Sequence, residues 1–141
     1  MTSSAQPQTT GGVSERTPRS LTGAALSFDL ATEAELLRRE QAWHDHGHNA
    51  RTLAKYTDFR VVLVVLKADA RMRQAQSDQC MTVQPLSGSV RVYLPDSLHD
   101  VASGQLLTLG SCVPHEIVAV EESAFLLCLG WSKQPAPVCT P

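Results

Sequence analysis

From Arg51 onward, short apolar stretches recur about every ten residues, each closed by Gly, Pro, Ser or Asp. That rhythm leaves room for strands and tight turns, but not for the crossover helices of a parallel sheet. Residues 59–66 (Phe-Arg-Val-Val-Leu-Val-Val-Leu) are β-branched and apolar on both faces, which fits a buried central strand or a strand given to a dimer. Residues 81–86 and 89–94 flank Ser87-Gly88, a two-residue turn signal. Pro95-Asp96-Ser97 turns the chain again, and Val101 precedes Ser103-Gly104. Residues 105–109 form a strand and 110–115 a loop, after which 116–120 and 123–131 make a final pair around Glu121-Glu122. About seven such strands describe a mostly β chain, a small barrel or sandwich.

The segment before this rhythm carries a helical pattern over residues 32–45. Thr32 followed by Glu35 has the spacing of a capping box. Leu36, Leu37, Glu40, Ala42 and Trp43 supply a partly apolar face, with Arg38 and Arg39 on the solvated side. Gly47 suits a left-handed cap. A helix this short needs a surface to dock on, so it packs outside a sheet with Trp43 as the anchor. Residues 1–23 are rich in Ser, Thr, Gly, Gln and Pro and read as a disordered tail. The expected organisation is therefore a tail over 1–23, a helical extension over 24–50, the barrel over 51–133 and a Pro-rich tail over 134–141.

Composition narrows the function. A chain of 141 residues is one domain by length. A net charge of -2 gives no basic footprint, which argues against nucleic acid as a partner. The longest apolar run, 61–66, is far too short to span a bilayer, so no membrane is expected. Cys80, Cys112, Cys128 and Cys139 show no zinc-type spacing; with no leader evident they read as reduced thiols, and the expected location is cytoplasmic.

Arg51-Thr-Leu-Ala-Lys-Tyr with the strand at 59–66, then Thr82-Val-Gln-Pro-Leu-Ser-Gly88-Ser-Val-Arg-Val, then Val113-Pro-His115-Glu and Glu122-Ser-Ala-Phe-Leu-Leu, cover about three fifths of the chain. In this order they resemble a small single-domain bacterial cupin. The resemblance implies a jelly-roll β-barrel in which 82–92 forms a central hairpin. It also implies where a metal would be held. In the second cupin motif Gly104 matches the leading glycine, Gly110 stands in a proline position, Cys112 in a glycine position and Ala119 in an asparagine position. His115 matches the ligand histidine. In the first motif Gly88 matches the closing glycine, and Met81 falls where a carboxylate ligand would sit. The two remaining histidine positions fall on Ala75 and Ser77 or on Gln74 and Gln76, and none of these is a histidine.

One imidazole gives no chelation, and a first-row divalent ion needs three or four His or carboxylate ligands. No cofactor is therefore expected, with a divalent transition metal on His115 as the alternative. Alternation puts Cys80 and Met81 on opposite faces, which works against a zinc set of Cys80, Cys112 and His115. His44, His46 and His48 are the one dense histidine group. They suit the end of a helix dipole, and only His44 and His48 would share a helical face. Asp78, Glu121 and Glu122 are expected as solvated turn charges, and Cys128 as a small core residue. Gln84 and Arg91 would line the barrel if they point inward, and Pro85 hints at a bulge. The expectation is a cupin that binds an unknown small molecule, or serves as a sensor or scaffold, as a homodimer. His115, Gln76 and Met81 are its pocket candidates, and no catalytic residue is assigned. The enzymatic alternative is a metal-dependent oxygenase or isomerase with an atypical ligand set, and a third possibility is a structural module presenting 61–66 for dimerisation.

Overall fold

The computed structural model describes residues 18–74 and 78–131. Its elements in chain order are α1 (Leu30–Leu37), α2 (Gln41–His46), β1 (His48–Lys55), β2 (Phe59–Leu66), β3 (Arg71–Gln74), β4 (Cys80–Ser87), β5 (Ser89–Tyr93), β6 (Leu98–Ala102), β7 (Leu107–Leu109), β8 (His115–Ala119) and β9 (Ser123–Gly130). The strands form a five-stranded sheet, β1-β2-β9-β4-β7, and a four-stranded sheet, β3-β8-β5-β6, with antiparallel pairing throughout. This is the expected mostly β jelly-roll, with nine strands instead of about seven. Among the described residues no ladder joins the two sheets, so the barrel is flattened and does not close through hydrogen bonds. No described helix is long and apolar enough to cross a membrane.

The turn signals at Ser87-Gly88 and Glu121-Glu122 do not close hairpins. β4 and β5 lie in different sheets, as do β8 and β9, so both turns are corners where the chain changes layer. The two corners pack on each other. Gly88 has a φ of 76°, and a Cβ there would lie 2.9 Å from Ser123 Cα and closer still to Glu122 O. Ser123 is fully buried, its Oγ 3.0 Å from Ser89 O and 2.7 Å from Glu121 O, and Val120 N donates to Ser89 O at 3.0 Å. The bulge foreshadowed by Pro85 is present as a register shift between Pro85 and Ser87.

Each face of β2 is buried, for a different reason. Val62, Val64 and Leu66 enter the inter-sheet core with Val83, Val90, Val92, Ile117, Phe125 and Leu127. Val61, Leu63 and Val65 face the helices, in a second cluster with Ala34, Leu37, Trp43, Leu53 and Ala124. β2 also has β1 on one edge and β9 on the other. It is thus the central strand of the two alternatives; its flanks are occupied, which overturns its presentation as a dimerisation strand.

The single helix expected over 32–45 is two helices. Asp29, not Thr32, is the N-cap: its Oδ1 accepts from Thr32 N at 3.2 Å. In one continuous helix Leu37 and Trp43 would point about 120° apart. The break at Arg38–Glu40 lets both face the sheet, and both are buried. Trp43 is the anchor expected, flanked by the Arg38 guanidinium and Lys67 Nζ at 5.8 and 5.3 Å from its ring. Gly47 caps α2 with a φ of 76°, and its N donates to Trp43 O at 3.0 Å. Asn49 Nδ2 then ties Leu37 O and Glu40 Oε1 to β1, both at 2.9 Å.

Of the segment 1–23, residues 1–17 lie outside the described residues, as does the tail over 134–141. Residues 18–23 run beside β1. Lys55 N donates to Leu21 O at 2.8 Å, Tyr56 Oη to Gly23 O at 3.0 Å, and Arg19 forms a two-pronged pair with buried Glu33 at 2.8 and 3.0 Å. The Arg19 hydrogen bonds hold the Glu33 carboxyl below the ordinary glutamate range, against the burial that pushes it up.

Two predictions follow from this packing. Gly88→Ala adds a left-handed strain of about 1–2 kcal/mol and a backbone clash. Gly104→Ala, also at positive φ but with nothing within 4 Å of its Cβ position, adds strain alone. Urea unfolding is expected to rank G88A clearly below G104A, and equal losses would contradict the corner packing. For Glu33, a lowered folded-state pKa means stability present above the 4.5 of a free glutamate and lost as pH falls below it. Arg19→Gln should flatten that acid loss in unfolding curves taken between neutral and acid pH.

Candidate functional site

The corners at 87–89 and 119–123 tie the sheets together at one end. At the other end β4 begins, β5 ends, β8 begins and β9 ends. This open end holds two of the residues singled out in the sequence, His115 and Met81. His115 is the first residue of β8; it is buried along with Ile117 and Ala119, while Glu116 and Val118 are half-exposed, so His115 faces inward. Its Nδ1 lies 3.2 Å from Val113 O. A carbonyl only accepts, so this bond puts the proton on Nδ1 and leaves the lone pair of the neutral ring on Nε2. A depression of about 270 Å³ opens beside it, lined by His115, Pro114, Tyr93, Leu94, Pro95 and Arg73. Arg73 Nη2 is 3.3 Å from Glu116 Oε2, which spends both charges on the rim.

Met81 is buried on the facing sheet at the same end. It pairs with Leu109 on β7 and Leu129 on β9, and Leu129 pairs with Arg60 on β2. Directly opposed residues share a face, so Arg60, Leu129, Met81 and Leu109 form one row across the inner surface of the five-stranded sheet. Below it the next rows are aliphatic and closed. Gln74 stands opposite His115 in the β3–β8 register. Gln76, Ala75 and Ser77 lie outside the described residues.

The other candidates do not join this end. Gln84 is exposed on the outer face of β4, and Arg91 is on the outer face of β5, its Nε 2.7 Å from Asp100 Oδ1; neither lines the interior. His44, His46 and His48 are all exposed. The helix stops at Gly47, so His44 and His48 share no helical face, and it is the rings of His46 and His48 that stack at 5.8 Å. Cys80 is exposed and Met81 buried, the opposition expected from alternation. Among the described residues no three His, Cys, Asp or Glu side chains are grouped to hold a metal ion, so Cys80, Cys112 and His115 form no zinc set. Cys80 and Cys128 are free thiols, but Cys112 is disulfide-bonded, which corrects the expectation of reduced thiols throughout.

Comparison with known proteins settles the architecture. No family model and no curated protein matches the chain. Among solved structures it is similar to a conserved Streptococcus pyogenes protein of unknown function, at 24% identity over 84% of this chain and 97% of that one, with a TM-score of 0.65. It is also similar to a cupin superfamily protein from Desulfitobacterium hafniense, at 13% identity over 60% of this chain and 78% of that one, with a TM-score of 0.58. The chain has the cupin fold. A further cupin structure similar to it is the Cupin_2 domain of an XRE family transcriptional regulator from Enterobacter cloacae, at 12% identity over 62% of this chain and 99% of that one, with a TM-score of 0.57.

The cupin motifs can be placed on this backbone. Cys112, which stands in a glycine position, has a φ of 64°, the left-handed conformation that glycine tolerates best. Met81, on which the resemblance puts a carboxylate position, is buried in the row with Leu129 and Leu109. Sequence inspection passed over Arg60 and Trp131. The available signal was that Arg60 is the one charged residue in 59–66 and shares the parity of Val62, Val64 and Leu66.

If Met81 is a core residue and Gln84 a surface residue, Met81→Ala should cost about 2–5 kcal/mol and Gln84→Ala no more than about 0.5 kcal/mol in chemical denaturation. Similar costs for the two would contradict the assignment of faces.

Proposed function

We propose that this chain is a small cupin-domain protein that holds a small molecule at its open end without a resident metal, in a sensor or scaffold role. The observation that carries this reading is the inner face at that end. One imidazole, His115, faces inward at the same end as a row that is apolar apart from Arg60, and Met81 in that row stands where the resemblance puts a ligand carboxylate. An apolar floor with a few placed polar groups suits an organic ligand. Among the described residues His115 belongs to no group of three His, Cys, Asp or Glu side chains, the minimum that chelation of a transition metal requires. The sensor role draws on the similarity to a cupin domain of a transcriptional regulator.

Elemental analysis and native mass spectrometry of protein purified without a histidine tag test this together. The expected result is substoichiometric metal and a co-purified or added organic ligand whose retention depends on the residues of the open end. A stoichiometric transition metal that disappears in His115→Ala would overturn the metal-free reading in favour of a metal-dependent cupin oxygenase or isomerase.

A further inference from the structure

Resting on the reading of the open end as a ligand site, we infer that its ligand carries one carboxylate on an apolar body, and that Arg60 receives the carboxylate. β2 and β9 pair in unbroken register from Phe59 to Leu66, so Arg60 leaves the strand on the inner face with Val62. Its guanidinium lies over the Trp131 ring, 5.2 Å from the centroid. Trp131 continues the parity of Phe125, Leu127 and Leu129 past the end of β9, and its backbone N–H donates to Asp58 O at 3.1 Å, which ties the main chain there to the start of β2.

The pairing of Arg60 differs from that of the arginines in ion pairs elsewhere on the molecule. Arg19, Arg71, Arg73 and Arg91 each pair with a carboxylate, and Arg38 Nε, though covered and off the line of a good hydrogen bond, has Glu122 Oε2 at 3.0 Å. No acidic side chain among the described residues pairs with Arg60, and its Nε–H is buried without an acceptor. An indole face attracts a cation but leaves that N–H unsatisfied. A carboxylate meets both needs at once: its two oxygens match the two N–H groups along one edge of a guanidinium. Because Nε is covered in the free chain, the fork turns on the indole as the carboxylate arrives.

The surroundings set the rest of the ligand. One cation balances one negative charge, which favours a monocarboxylate over a phosphate monoester. Leu129 is beside Arg60, and Met81 is one strand further, about 10 Å from the β2 backbone. Leu129 and Met81 are the apolar side chains that the row offers next to the guanidinium.

The test uses the full chain, labelled with ¹⁵N, titrated with benzoate and with its neutral counterpart benzamide. Benzoate is expected to shift the Arg60 Nε–H and Trp131 indole N–H signals saturably, with benzamide at least about tenfold weaker, the scale of a charge-assisted pair. Arg60→Gln should bring benzoate down to the benzamide level. Arg60→Lys keeps the charge without the fork and should fall between the two; the same spectra report that each variant is folded. Equal binding of benzoate and benzamide, or a benzoate preference that survives in R60Q, overturns the role of Arg60 while leaving the ligand site standing. If neither compound moves any signal from Arg60, Met81, His115 or Trp131, the inference and the site it rests on both fall.

Discussion

The contact between Gly88 and the Glu122–Ser123 backbone is the constraint on which the rest of the arrangement depends. It exists because residue 88 has no side chain, and it brings the β4–β5 and β8–β9 crossings together at one end of the molecule. The buried Ser123 hydroxyl, shared between two carbonyls, satisfies polar backbone that would otherwise be stranded between the layers. With that end fastened, the strands leave it side by side, and His115, Met81 and Arg60 arrive together at the other. None of the three is near another in sequence. Their common location is a product of the corners.

Much of the fold was legible because its signals are local. The alternation in 81–83, the turn at Pro95–Ser97, the bulge near Pro85 and the cap at Gly47 each rest on a few adjacent residues, and each stands as read. What was misread depends on contacts between distant segments. Ser87-Gly88 looks like a hairpin turn, and only the packing of a second corner against it shows that it joins two sheets. The residues of β1 from Arg51 stand out only through the resemblance and Arg71–Gln74 not at all, because both segments have little apolar content; they are strands because β2 and β8 offer them an edge. The helix was placed at Thr32 because the capping-box spacing is there, while the structure uses Asp29 and a break that aims Trp43 at the sheet.

The site was legible only in outline. His115 and Met81 were placed from a resemblance, and both face the open end. Gln84 and Arg91 were offered as lining residues without a known face, and the register turns both outward. Arg60 drew no notice because a single charge in a long apolar run reads as an interruption. Its meaning depends on parity with Val62 and on a Trp that lies beyond the partner strand. The backbone at Cys112 is left-handed, and the inner row at the open end is apolar apart from Arg60.

β2 is held on four sides: β1 and β9 on its edges, the inter-sheet core on one face and the helices on the other. A strand clamped in this way cannot slide or tilt without opening two hydrophobic clusters at once. The backbone beneath a side chain at its end is therefore a fixed mount, and any movement of that side chain is about its own bonds. The turn at Pro95–Ser97 and the stretch between Leu109 and His115 lie at the same end outside any strand, so a change there would leave both clusters around β2 intact.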